Sequence, residues 1–130
     1  MRCADFGRFN GPVVLFGGAL SNIDALEALA AAVDGRPVVS TGDLVGYCAA
    51  PAETVARFRG LGWPTIAGNC ERQIAAGAED CGCGFATGSA CDLMSGVWYR
   101  HATESLDADA RGWMSALPDI GVFVQGTRRY

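Results

Sequence analysis

The chain has 130 residues, a formal net charge of -4 and a hydrophobic fraction of 50%. That length suits one domain, and that hydrophobic fraction supports a buried core rather than a disordered tail. The acidic balance without a basic block argues against a nucleic acid polymer as partner, and no apolar run reaches the roughly 20 residues of a membrane helix.

The N-terminal segment begins with polar residues and continues into a strand pattern. Asp5, Arg8 and Asn10 precede a short apolar run that glycines interrupt, which favours a first strand over a signal peptide, so we expect a cytoplasmic protein. The stretch "GPVVLFGG" (11–18) predicts a buried strand. The following "SNIDALEALAAAVDG" (21–35) predicts a helix that Ser21 or Asn22 caps.

The next segments repeat this alternation. "RPVVST" (36–41) predicts a second strand, "PAETVARFRGLG" (51–62) a helix with proline in its first turn, and "WPTIAG" (63–68) a third strand. A β-α-β-α-β order implies a parallel sheet with flanking helices, which is an α/β fold.

After residue 69 the pattern changes. "CERQIAAGAEDCGCGFATGSACD" (70–92) predicts a short helix followed by a loop rich in glycine and cysteine. Two further helices follow in 91–102 and 107–118, and the segment 119–130 predicts a strand, a Gly-Thr turn and the start of a hairpin partner. No linker divides the chain, so we predict a single domain over 1–130.

Polar side chains follow two neighbouring strand ends. Asp43 comes directly after a predicted strand and a glycine, and Asn69 follows the next strand in the same way. Carboxylate and amide oxygens at the carboxyl edge of a parallel sheet suit a hard divalent metal. The alternative for Asp43 is a side chain that caps the next turn.

The motifs "GDLVGY" (42–47) and "GNCE" (68–71), with "FGGALSNIDALEAL" (16–29) before them, resemble the calcineurin-like metallophosphoesterases, in their bacterial phosphodiesterase-like branch. The resemblance implies the N-terminal half of a four-layer α/β sandwich. It also implies hydrolysis of a small phosphoester or nucleotide by two divalent metals, typically manganese, iron, zinc or magnesium.

The resemblance implies a role for five residues. Asp43 would bridge the two metals, and Asn69 would ligate one of them. Cys70 stands where the family has a histidine that assists the leaving group, and Glu71 matches the acidic residue that orients it. Asn22 matches an asparagine of the first motif.

The sequence departs from the family at most metal ligands. Gly18 and Leu20 stand at the aspartate and histidine of the first motif, and the later histidine motifs are missing. His101, the only histidine, lies on a predicted helix and is expected to be a surface or partly buried residue. We therefore expect the chain to bind no two-metal centre, or to bind it very weakly, and catalysis is left open.

The last predicted strand and hairpin resemble the segment that leads into the family's next histidine motif. We expect a truncated chain that carries the first half of the fold. Such a half would leave one face of the sheet uncovered, which would favour a homo-oligomer.

Two further hypotheses remain open, namely a cysteine-based metal-binding or redox protein and a non-catalytic binding module. Cysteines near the strand ends would favour zinc or iron if they act as ligands, although thiols without a ligand are the simpler interpretation; the candidates are Cys48, Cys70, Cys81, Cys83 and Cys91. The Cys-Gly-Cys spacing is expected to be too tight for an easy disulfide. Alternatively, the chain is a binding module that holds a phosphate or nucleotide at Ser21 and Asn22, at a helix N-terminus.

Overall fold

The structure contains the predicted helices and one additional strand at its start, and the alternation of strands and helices is interrupted after α2. The computed structural model describes residues 1–130. The elements are β1 (Cys3–Phe9), β2 (Val14–Phe16), α1 (Ile23–Val33), β3 (Val38–Ser40), α2 (Pro51–Leu61), α3 (Asn69–Ala76), α4 (Ala90–Ser105), α5 (Ala108–Ala116), β4 (Ile120–Gln125) and β5 (Arg128–Arg129).

The strands form two small sheets. β1 pairs in parallel with β4, and β5 pairs antiparallel to β4 across the predicted Gly-Thr turn. β2 and β3 form the other parallel pair. The backbone N–H of Ala67 donates to the carbonyl of Pro118 at 2.8 Å, which ties the end of the third predicted strand to the segment before β4. The fold is α/β, as expected.

The third predicted strand is reduced to a single bridge. Thr65 pairs in parallel with Ser40. The N–H of Ser40 donates to the carbonyl of Pro64, and the N–H of Ile66 donates to the carbonyl of Ser40. The N–H of the next residue, Ala67, donates to Pro118 instead of continuing this pairing. The prediction of a strand over 63–68 was therefore wrong in extent, although its neighbour in the sheet is the expected one.

The prediction that 11–18 forms a buried strand was also wrong. In β2, Leu15 is 58% exposed and its two neighbours are only half-buried, whereas all three residues of β3 are buried. β2 has a strand partner on one side only. It is an edge strand, and one of its apolar side chains faces solvent.

The helix boundaries follow from their capping residues. The Asn22 side chain accepts a hydrogen bond from the N–H of Ala25 at 3.0 Å, and Asp34 ends α1 in a left-handed conformation. Of the two predicted caps, Asn22 is therefore the one used. Pro51 begins α2, and Asp107 caps α5 by accepting from Ala110.

The buried core has a large and a small part. The large part packs α2, α3, α4 and α5 together, with Ile74, Trp98 and Met114 among its members. The small part lies under α1 and α2 around Leu26 and Phe58. None of the five helices combines the length and hydrophobicity needed to span a membrane.

Candidate functional site

Three glycines allow the strand ends to approach one another. A Cβ atom at Gly18 would overlap the carbonyl of Asp43, and one at Gly68 would overlap the Asp43 carboxylate. One at Gly42 would overlap the backbone of Gly68, and Gly42 also has a φ of 93° that other residues rarely adopt. Packing therefore requires glycine at each strand end, and at Gly42 the backbone conformation of the turn favours it as well.

The buried carboxylate of Glu71 holds the loop 42–46, which we call the Asp43 loop. Its two oxygens accept from the backbone N–H groups of Asp43 at 2.7 Å, Leu44 at 2.8 Å and Val45 at 3.2 Å. They also accept from the N–H of Gly68 at 2.9 Å. Glu71 is fully buried, so these four bonds replace the water that a carboxylate would otherwise bind.

Two opposing effects act on the Glu71 carboxyl. Burial raises its pKa above the usual value, and the N–H groups of Val45, Asp43 and Gly68 lower it. The nearby negative charge of Asp43 raises the pKa further. The family resemblance implies that Glu71 orients residue 70, and this role stays a prediction. The bonds that Glu71 makes show that it supports the backbone of the Asp43 loop.

Asp43 and Asn69 line one cavity, which we call the strand-end cavity. Its volume is about 390 Å³, and the lining residues are Leu20, Asp43, Tyr47, Asn69, Cys70, Gly82, Cys83 and Phe85. Asp43 is half-buried with a φ of 55°, and its Oδ1 accepts from the N–H of Cys70 at 3.4 Å. The two residues singled out from the sequence are thus brought together at the sheet edge.

Asn69 begins α3 and is exposed, yet its amide is engaged by the protein. Its Nδ2 donates to the carbonyl of Cys81 at 3.1 Å, and it lies 3.7 Å from the sulfur of Cys70 and 3.9 Å from that of Cys83. The amide nitrogen therefore faces the cysteines. No sequence pattern predicts this contact, because the loop that carries Cys81 has no regular pattern.

Cys70 is buried at the base of the strand-end cavity, where the family resemblance implies a catalytic histidine. Burial raises the pKa of its thiol to about 12, and the carboxylates of Asp43 and Glu71 add to this rise. The thiol therefore stays protonated at neutral pH. It is a poor proton acceptor and a weak nucleophile in this state.

The other cysteines divide into a bonded pair and exposed thiols. Cys81 and Cys83 form a disulfide with their Cα atoms 5.4 Å apart, so the expectation that their spacing disfavours a bond was wrong. Gly82 between them has a φ of 67°, which bends the chain enough to bring the side chains together. Cys48 and Cys91 are exposed and do not line the strand-end cavity.

The polar groups at the start of α1 are used within the protein. Ser21 is buried, its Oγ accepts from the N–H of Gly46 at 3.0 Å, and its own N–H donates to the carbonyl of Leu44. The side chain of Asn22 caps the helix. Phosphate binding at these two residues stays a prediction, and no unused side-chain group there supports it.

The donors at the strand ends do not fit a two-metal centre. Nowhere in the chain do three or more histidine, cysteine, aspartate or glutamate side chains form a group that could hold a metal ion. Leu20 stands in the cavity lining at the place of the family's histidine. The imidazole Nε2 of His101 is 2.9 Å from the carbonyl of Ala49, outside the cavity lining. Asp43 and Asn69 alone supply too few ligands and too little negative charge.

Comparison with known proteins agrees with this fold. The chain is similar to the crystal structure of a metallophosphoesterase from Sphaerobacter thermophilus, with a TM-score of 0.61 and 22% sequence identity. The similar region covers 82% of this chain and 41% of that chain, so it spans less than half of that protein. No family model and no curated protein matches the chain.

The structural similarity establishes the architecture. The α/β arrangement of this chain matches a part of a metallophosphoesterase fold. The expected fold class is therefore confirmed.

Proposed function

We propose that this chain is a metallophosphoesterase-type protein that presents a small phosphoester or nucleotide site at its strand-end cavity, and that two-metal hydrolysis is impaired or absent in it. The observation that carries the proposal is the shared position of Asp43 and Asn69. They line one cavity at the sheet edge, in a chain whose fold matches part of a metallophosphoesterase.

The proposed loss of hydrolysis is supported by backbone packing as well as by the missing metal ligands. By the family resemblance, Gly18 stands at a metal-binding aspartate. A Cβ at this position would overlap the carbonyl of Asp43. An aspartate is therefore excluded unless the Asp43 loop moves, and this loop is held by the four bonds to Glu71.

The residues that remain do not replace the missing chemistry. The protonated thiol of Cys70 is a weaker proton donor to a leaving alkoxide than an imidazolium would be, because its pKa is about 12. The Asp43 carboxylate takes part in no ion pair. It repels an anionic phosphoester, so we expect weak binding by this chain alone.

The experiment is hydrolysis of a generic aryl phosphodiester with added Mn²⁺, comparing the wild-type chain with Asp43→Ala. We expect equal rates at the level of buffer with Mn²⁺. A wild-type rate several-fold above that of the variant would show that a catalytic centre forms and would overturn the proposed loss of hydrolysis.

Metal analysis provides an independent check on the same material. We expect fewer than two equivalents of Mn²⁺ to remain with the chain after dialysis. Two retained equivalents that are lost in Asp43→Ala would contradict our assignment of the cavity as lacking a two-metal centre.

A further inference from the structure

Sulfur atoms converge on one side of the strand-end cavity. The Asn69 amide nitrogen is 3.7 Å from the sulfur of Cys70 and 3.9 Å from that of Cys83. Cys83 is bonded to Cys81, which belongs to the same buried cluster as Cys70. Two sulfur atoms from two segments of the chain therefore lie within 4 Å of a single side-chain amide, and a third is bonded to one of them.

A carboxylate lies beside these sulfurs. The carboxylate of Asp43 accepts from the backbone N–H of Cys70 at 3.4 Å and lines the same cavity. Cys70 is also in the first turn of α3, where the helix dipole favours negative charge. Sulfur and carboxylate ligands in such a group suit a borderline-soft ion such as zinc and do not suit manganese or magnesium.

The disulfide prevents this group from acting as a metal site. A sulfur atom in a disulfide is not a thiolate and is therefore a poor metal ligand. This agrees with the absence of a metal-binding group in the disulfide state. A dithiol reductant changes this: it transfers two electrons and two protons, gives two cysteine thiols, and is itself oxidised to a cyclic disulfide.

We propose that reduction of this disulfide creates a tetrahedral site for one Zn²⁺ ion. The four ligands are Cys70, Cys81, Cys83 and Asp43. Binding releases the thiol protons to solvent as the three thiolates coordinate the metal. The exposed Asn69 side chain turns toward solvent, and the ion takes the place of its amide between the sulfurs.

The rearrangement that metal binding requires falls on the loop that carries Cys81 and Cys83. At a Zn–S distance of about 2.3 Å, two tetrahedral ligand sulfurs lie about 3.8 Å apart. Once reduced, Cys81 and Cys83 are no longer bonded to each other, and rotation of their side chains can bring the sulfurs to this separation. Cys83 lies on the loop 77–89, which joins α3 to α4. This loop contains four glycines with positive φ, at positions 77, 82, 84 and 88.

The test uses Co²⁺ as a spectroscopic substitute for Zn²⁺ in the full chain, after reduction and anaerobic removal of the reductant. We expect one equivalent to bind, with the thiolate charge-transfer band and the visible bands typical of tetrahedral Co²⁺, and Zn²⁺ to displace it. The oxidised chain should give neither band. Absence of both bands in the reduced chain would overturn the proposal.

Matched serine substitutions locate the site. Cys83→Ser, on a half-buried loop position, should weaken Zn²⁺ binding more than about 10-fold, since the loss of a second-shell partner alone costs 10- to 100-fold. Cys91→Ser removes an exposed thiol outside the cavity and should bind as the wild type does.

Cys70→Ser gives a second measurement at a buried position, with circular dichroism to verify folding. Unchanged affinity in folded Cys83→Ser or Cys70→Ser would show that these sulfurs are not ligands. This inference does not rest on phosphoester hydrolysis, because its readout is metal binding.

Discussion

The two sides of the Asp43 loop differ in how completely their polar groups are satisfied. On the buried side, Glu71 accepts four backbone N–H bonds, and Ser21 and three glycines complete the contact between strand ends. On the side that faces the strand-end cavity, Asp43 has no cationic partner and Leu20 stands beside it. The backbone framework of this sheet edge is thus complete, while the cavity beside it offers few side chains that could bind a metal.

This contrast shows that the framework and the chemistry are held by different residues. The framework depends on backbone bonds and on small residues, whereas metal binding depends on side chains that contribute little to stability. Substitutions on the two sides of the loop should therefore have very different effects on folding.

The largest effect is expected at Glu71. Glu71→Ala leaves four N–H groups at the buried strand ends without their acceptor, and we expect a loss of about 3–5 kcal/mol in the free energy of unfolding. Glu71→Gln keeps one acceptor oxygen and should lose about half as much. The measurement is urea unfolding followed by tryptophan fluorescence.

Glu79→Ala is the matched control for this prediction, because Glu79 is exposed on the loop after α3. It should change the free energy of unfolding by less than about 0.5 kcal/mol. If Glu71→Ala were as mild as this control, the buried side of the Asp43 loop would not be the framework that we describe.

A smaller effect is expected at the first strand end. Gly18→Ala places a methyl group against the carbonyl of Asp43, and overpacking of this kind costs about 1–3 kcal/mol. Gly17→Ala is the control, since its Cβ would meet only the Thr41 hydroxyl at 4.0 Å. Equal unfolding midpoints for the two variants would mean that the Asp43 loop yields easily, and an aspartate at position 18 would then be accommodated.

The smallest effect is expected on the cavity side. Asp43→Asn removes a negative charge that lies near the buried Glu71, and asparagine tolerates the φ of 55° at this position. We expect stability at neutral pH to be unchanged or to increase by up to about 1 kcal/mol. A decrease of more than this amount in urea unfolding would show that the Asp43 carboxylate itself stabilises the fold.

Much of the fold was predictable because local signals and tertiary packing agree. Asn22 and Pro51 cap or begin helices as the sequence indicates, and the Gly-Thr turn connects β4 to β5. The joint position of Asp43 and Asn69 followed from the parallel order of the strands alone. These features need only neighbours in sequence or the general handedness of α/β units.

The features that sequence reasoning missed depend on contacts that no local pattern encodes. β1 escaped notice because the bulge at Gly7 breaks its alternation. The exposure of Leu15 depends on which strand lies at the sheet edge, and the third strand is shortened because its backbone turns to Pro118. The pairing of Cys81 with Cys83 depends on the positive φ of Gly82.

The pairing of β1 with β4 has a consequence for how the chain reaches its native state. Cys3 lies opposite Ile120 and Phe9 opposite Gln125, so β1 pairs with a strand that is far from it in sequence. Closing so long a loop is entropically costly and slows folding. On the ribosome, β1 therefore remains without its strand partner until synthesis of β4 is complete.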